Sequence, residues 1–200
     1  MVNIARTRRA KCRGAGFLAV IVLIILFAVL GTILYFSSCS INKAQYQLEY
    51  QDLVNKYSKE YNVSDELIYA VIKTESNFDP NAESAVGAIG LMQIMPYTFE
   101  WLQTYYDGEV TLDTDSLYDP ETSIKYGTRF LAFLLERYEN CEETAVAAYN
   151  AGFGAVDEWL MDENCSSDGV TLDYIPYSET RNYVVKVENA KENYKDVYNL

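Results

Sequence analysis

The stretch Asp65-Glu66-Leu67-Ile68-Tyr69-Ala70-Val71-Ile72-Lys73-Thr74-Glu75-Ser76-Asn77-Phe78-Asp79-Pro80 starts as a helix and ends as a turn. Ser64 precedes it as an N-cap, and Asp65 and Glu66 fill the first turn, where the helix dipole favours acids. Leu67, Ile68, Val71 and Ile72 form an apolar stripe at helical spacing. Glu75 follows Ile72 by three positions and Val71 by four, so its carboxylate continues the stripe. It also lies in the last turn, at the negative end of the dipole. Partial burial and the dipole both disfavour the charged form and should raise its pKa. A carboxylic acid that keeps its proton near neutrality suits protonation of a leaving oxygen. Periodicity alone is equally compatible with a helix-end glutamate turned to solvent.

Outward from this stretch the chain reads as mainly α. A helix is expected over about 44–61, with Leu48, Leu53, Val54 and Tyr57 toward a core. Residues 81–95 are irregular, with Gly87 and Gly90 placed for tight turns or close backbone approach. Pro96 suits the first position of a short helix through Trp101 and Leu102. A polar loop is expected over 106–119, then helices over about 121–139 and 142–150, a short one ending at Leu160, and a loop to Pro176. The last helix starts near Ser178, with Tyr183, Val184, Val187, Ala190 and Tyr194 on its inner face. No βαβ alternation and no phosphate-cradling Gly-rich loop is present.

The N-terminal end has a different composition. Residues 1–13 hold Arg6, Arg8, Arg9, Lys11 and Arg13 and no acid, and residues 14–36 are uncharged and almost wholly apolar. About 20 such residues match the hydrocarbon core of a bilayer. The basic flank predicts a single-pass anchor in the cell membrane, with residues 1–13 cytoplasmic and the remainder outside. Residues 37–43 read as a linker and 44–200 as the exterior domain. A cleavable signal peptide and lipid attachment at Cys39 are the competing readings. Of 16 basic residues in the chain, five precede the span, leaving eleven against 29 acids outside, a balance of about −18. That excludes nucleic acid as a partner, since its binding depends on Lys and Arg neutralising phosphates.

No histidine occurs anywhere in the sequence. Ser-His-Asp and Cys-His nucleophile pairs and His-ligated metals are therefore excluded. The four cysteines fit no zinc pattern, and neither a metal nor an organic cofactor is expected. Cys141 and Cys165 could bridge in an oxidising exterior, contributing about 3 kcal/mol, or remain free thiols.

Four segments carry a resemblance. Glu75-Ser76-Asn77-Phe78-Asp79-Pro80 is the first, and Ser84-Ala85-Val86-Gly87-Ala88-Ile89-Gly90-Leu91-Met92-Gln93-Ile94-Met95-Pro96 the second. Ala147-Ala148-Tyr149-Asn150-Ala151-Gly152 and Ile175-Pro176-Tyr177-Ser178-Glu179-Thr180-Arg181-Asn182-Tyr183-Val184 complete the set. In this order they closely resemble the soluble lytic transglycosylase family. The resemblance implies a lysozyme-like single catalytic domain that cleaves peptidoglycan glycan strands, with Glu75 as sole acid and base. It further implies that Ser84 and Gln93 hydrogen-bond sugar groups and that Met95 walls the cleft. Tyr149 and Asn150 would face the scissile bond, with Glu179 and Tyr183 opposite Glu75. Read without it, Met95 and Tyr149 are equally core residues and Glu179 an acid placed by the helix dipole.

The resemblance also implies a water-free reaction that leaves a 1,6-anhydromuramoyl end. Two alternatives remain: a hydrolytic muramidase resembling goose-type lysozyme, with Asp79 or Glu83 positioning water, and a non-catalytic wall-binding module. Protein partners are not legible.

Overall fold

The computed structural model describes residues 23–32 and 45–198. The chain divides into two compact units, Met1–Gln45 and Tyr46–Leu200. Within the first, residues 23–32 are helical with exposed apolar side chains. Among the described residues no helix is long and apolar enough to cross a membrane. The rest of the expected 14–36 span, with 1–13 and the 37–43 linker, lies outside the described residues.

The second unit is helical, as the sequence predicts. Its elements are α1 (Gln51–Tyr61), α2 (Asp65–Glu75), α3 (Pro96–Asp107), a 3-10 turn (Thr114–Tyr118), α4 (Pro120–Arg137), α5 (Glu142–Ala151), α6 (Phe153–Leu160) and α7 (Ser178–Tyr198). Strand pairing among the described residues is limited to isolated bridges, Glu83 with Ile89 and Ile89 with Ile94. Helix α2 is the centre of the unit and packs most extensively on α7, while α1 packs on α4 and α5 lies against α4, α6 and α7.

The stripe expected on α2 understates its burial. Every residue from Leu67 to Ile72 is buried, Tyr69 and Ala70 included. A helix apolar all round is enclosed on all sides, and Tyr69 stacks on Tyr194 of α7 at 5.2 Å. Ser64 holds the N-cap position, but its side chain makes no capping bond.

Several boundaries differ from expectation. The helix expected from 44 begins only at Gln51, because Tyr50 turns the chain at φ 55°. The segment before it is held by α7 instead: Tyr46 packs edge-on against Tyr194 at 5.2 Å, and the Tyr198 hydroxyl donates to the Tyr46 carbonyl at 2.7 Å. Helix α3 continues past Leu102 to Asp107, anchored by the Arg129–Asp107 ion pair at 2.9 Å. The polar loop after it contains the 3-10 turn, which Asp113 caps by accepting from Ser116 N and which buries Leu117. Helix α7 begins at Ser178, where the sequence places it, and the Tyr177 carbonyl takes the Arg181 N–H at 3.0 Å. Cys141 and Cys165 are free thiols, with Cys141 Sγ 3.2 Å from Thr144 Oγ1.

Two glycines let the 81–95 loop sit close to the helices. Gly90 has φ +79°, and a Cβ there would lie 2.1 Å from the Leu117 carbonyl oxygen. Gly127 of α4 lies under Met92, whose Sδ would be 2.3 Å from an added Cβ. Backbone cannot yield as a flexible side chain can, so Gly90→Ala combines overpacking with a left-handed conformation. It should cost about 3 kcal/mol in urea unfolding, whereas Gly87→Ala, with open space around it, should cost about 1 kcal/mol.

Candidate active site

Glu75 ends α2, and Ser76 fastens that end to the following loop by donating from Oγ to the Leu91 carbonyl at 2.8 Å. The loop folds back on itself. Ile89 and Ile94 exchange both backbone bonds at 3.1 Å, and Gly90 N donates to Ala82 O at 2.9 Å. This turn exposes the Met92 backbone to two neighbours. Its N–H donates to Ser123 Oγ of α4 at 3.2 Å, and its carbonyl accepts from the Tyr149 hydroxyl at 2.8 Å.

The Tyr183 hydroxyl of α7 donates to Glu75 Oε1 at 2.6 Å. Burial raises the Glu75 pKa to about 7, partly offset by this bond, which favours the charged form. Burial, and secondarily the negative charge of Glu75, hold the Tyr149 and Tyr183 hydroxyls well above their ordinary value. Both tyrosines therefore remain neutral donors beside a carboxyl that titrates near neutrality. Glu75 itself keeps partial exposure, so a reacting group has access to it.

The other candidates distribute around this centre. Gln93, at φ 47°, spends its amide on its own loop, donating to the Ala82 and Gly90 carbonyls at 3.0 Å. Met95 is 39% exposed, at the surface and not in the core. Ser84 serves its turn, its Oγ accepting the Ala88 N–H at 2.9 Å. Asn150, at the end of α5, is exposed and accepts from Thr180 Oγ1 at 2.8 Å. Glu179 is exposed on α7, one turn before Tyr183. Thus Glu75, Tyr149 and Tyr183 converge, Gln93 stays within its own loop, and Ser84 and Glu179 make no hydrogen bond to Glu75 among the described residues.

Three supporting residues escaped the sequence reading. Thr180 orients Asn150, Ser123 holds the Met92 N–H, and Gly127 makes room for the Met92 side chain. Thr180 had a signal, since it precedes Tyr183, Val184 and Val187 by three, four and seven positions. Ser123 and Gly127 had none, because their partner lies across the fold. The two carboxylates considered as water-positioning groups are engaged elsewhere. Asp79 Oδ1 accepts the Asn81 N–H at 2.9 Å, and Glu83 Oε2 accepts from the Tyr118 hydroxyl at 3.0 Å.

A mainly α domain with one recessed carboxyl between a central helix and a C-terminal helix defines a lysozyme-like class. The transglycosylase SLT domain family matches residues 52–168, and the chain belongs to that family. Over 144 residues it is 37% identical to the soluble lytic murein transglycosylase of Salmonella typhimurium, covering 72% of this chain and 22% of that protein. It is 32% identical over 168 residues to the membrane-bound lytic murein transglycosylase C of Serratia proteamaculans, covering 74% of this chain and 47% of that one. The fold matches the 70-kDa soluble lytic transglycosylase of Escherichia coli with a TM-score of 0.69 at 31% identity, over 78% of this chain and 25% of that one. The chain therefore spans between about a fifth and a half of these relatives' lengths.

The raised pKa has a consequence for stability. Glu75 ordinarily releases its proton near 4.5 and here near 7. Its folded-state advantage is thus full below pH 4.5 and lost as pH rises through 7. Glu75→Gln should match the wild-type melting temperature at pH 4 and exceed it at pH 8, by up to about 3 kcal/mol of stability. Tyr183→Phe removes a bond to the charged form, so carboxyl NMR should show Glu75 titrating above its wild-type value.

Proposed function

We propose that this chain is a lytic transglycosylase that cuts the β-1,4 bond between N-acetylmuramic acid and N-acetylglucosamine in peptidoglycan. The observation that supports it most is the Glu75 carboxyl, which holds its proton to about pH 7 beside the Tyr183 donor. Glu75 protonates the bridging oxygen, the C1–O bond breaks, and the substrate's own N-acetyl group supports the positive sugar. The resulting Glu75 carboxylate takes the proton of the muramic C6 hydroxyl, whose oxygen attacks C1. Proton and bond balance close without water, leaving a 1,6-anhydromuramoyl end. The engagement of Asp79 and Glu83 with other groups favours this over hydrolysis, which needs a second carboxylate to position water.

In this reading Tyr183 orients the Glu75 carboxyl. Tyr149 and Asn150 stand at the scissile bond, Met95 walls the cleft, and Gln93, Ser84 and Glu179 contact sugar polar groups. Tyr149 acts through its phenol oxygen and ring, since its proton is directed at Met92 O. Digestion of purified peptidoglycan checks the whole scheme. Wild type should release anhydro-ended fragments, with kcat/KM falling as pH rises through about 7, while Glu75→Gln should lose at least about a thousandfold in rate. Fragments heavier by one water would establish hydrolysis instead, and equal release by Glu75→Gln would remove that residue from the chemistry. No release by either protein would leave the wall-binding reading.

The apolar 14–36 span fits a membrane anchor placing 44–200 outside the cell, with 1–13 inside and 37–43 as a tether of at most about 25 Å. The domain would then work on glycan near the membrane. One relative is named as membrane-bound. Removing residues 1–43 should move the protein from the membrane pellet to the supernatant after cell lysis; retention in the pellet would contradict the anchor.

A further inference from the structure

Residues 46–50 open the second unit and approach α1 as non-helical chain. Tyr46, Leu48 and Tyr50 pack against the core while Gln47 and Glu49 are exposed, the alternation of an extended segment. Tyr46 starts a row of four aromatic rings that crosses the domain. It stands edge-on to Tyr194 of α7 at 5.2 Å, and Tyr194 stacks on Tyr69 of α2 at 5.2 Å. Tyr69 in turn meets Phe78 at 6.3 Å.

Phe78 belongs to the turn that closes α2, directly after Glu75-Ser76. Asn77 and Phe78 both have left-handed backbone there, at φ 51° and 67°. A left-handed phenylalanine is strained, and such strain persists only where surrounding contacts over-determine it. Two contacts do so. The Phe78 ring is buried and held by Tyr69. The Asn77 side-chain oxygen accepts from the Lys73 ammonium, which lies 5.9 Å from the centre of the Tyr46 ring. The 46–50 strap therefore supports the turn by two routes, through the ring row to Phe78 and through Lys73 to Asn77.

We propose that Tyr46 and Lys73 are positioning residues for Glu75, acting through the Asn77–Phe78 turn that closes α2. The inference deepens the glycan-cleaving function proposed above and rests on it for its kinetic part. A close-packed aromatic row transmits displacement, because it leaves few voids to absorb it. Without the Tyr46 ring, Tyr194 and Tyr69 can shift, and the turn can relax toward ordinary backbone. The Glu75 carboxyl then moves off the Tyr183 hydroxyl, and a reacting group misplaced by about 1 Å loses rate. The titratable groups facing Glu75 are the hydroxyls of Tyr183 on α7 and Tyr149 on α5, and a change at Tyr46 alters neither. Burial and the Tyr183 bond set the Glu75 pKa, not the charge of Lys73.

The test uses the full chain in detergent, with kinetics on purified peptidoglycan and carboxyl NMR of Glu75 as a readout independent of turnover. Tyr46→Ala should lower kcat about tenfold with KM within about twofold of wild type. Its Glu75 midpoint should fall below about 7 as water reaches the carboxyl. Tyr46→Phe keeps the ring row and should match wild type in both. Lys73→Met should lower kcat about threefold, and adding Asn77→Gly should restore it, because glycine holds a positive φ without side-chain support. A lowered melting temperature in Tyr46→Ala, with kcat and the Glu75 midpoint unmoved where it stays folded, overturns the positioning role. Equal losses in Tyr46→Ala and Tyr46→Phe, or no rescue by Asn77→Gly, also overturn it. If wild type leaves peptidoglycan uncut while the midpoint falls in Tyr46→Ala and not in Tyr46→Phe, the positioning stands and the glycan-cleaving reading alone is overturned.

Discussion

The hydrogen bond from Tyr183 to Glu75 joins residues 108 positions apart, and it exists only because α2 is packed along α7. Helix α2 is buried from Leu67 through Ile72, so its last turn emerges from the core with Glu75 still partly enclosed. That enclosure keeps the proton on the carboxyl, and the tyrosine sets its orientation. A shift of α7 along α2 would separate the pair. The aromatic layer between the helices, with Tyr69 against Tyr194 and Tyr194 against Tyr46, opposes such a shift by packing alone.

The loop after α2 follows from the same constraint. It must return to the core within a few residues and still leave the mouth of the site open. Gly90 allows its backbone to touch that of Leu117, and Gly127 admits the Met92 side chain against α4. Met92 thereby becomes a junction, its N–H held by Ser123 and its carbonyl by Tyr149. Gln93 stabilises the loop from within, which leaves its neighbour Met95 exposed at the edge. Small residues and one carbonyl thus shape this loop as much as the polar side chains do.

Much of this was legible in the sequence. The helical repeats located α2, α4, α5 and α7 to within a few residues, because each buries a periodic apolar face. Glu75 was legible as an acid at the end of such a face, and the four family segments brought Tyr149, Asn150, Glu179 and Tyr183 into consideration. The absence of histidine excluded whole classes of chemistry without any structure. The Gln51 start of α1 and the extension of α3 to Asp107 were not legible, since contacts with Tyr194, Tyr198 and Arg129 decide them from far along the chain.

What the sequence by itself determined is therefore the helical class, the apolar faces that build the core and the place of one carboxyl at the end of such a face, all set by local periodicity and residue chemistry. Tertiary structure alone decided which hydroxyl reaches Glu75, that Tyr149 bonds the Met92 carbonyl, that Cys141 and Cys165 stay free, and that Ser84 serves its own turn. It also set the degree of burial that lifts the Glu75 pKa to about 7. The reason is physical: desolvation and hydrogen-bond geometry depend on distances between residues remote in sequence, and those distances exist only once the helices are packed.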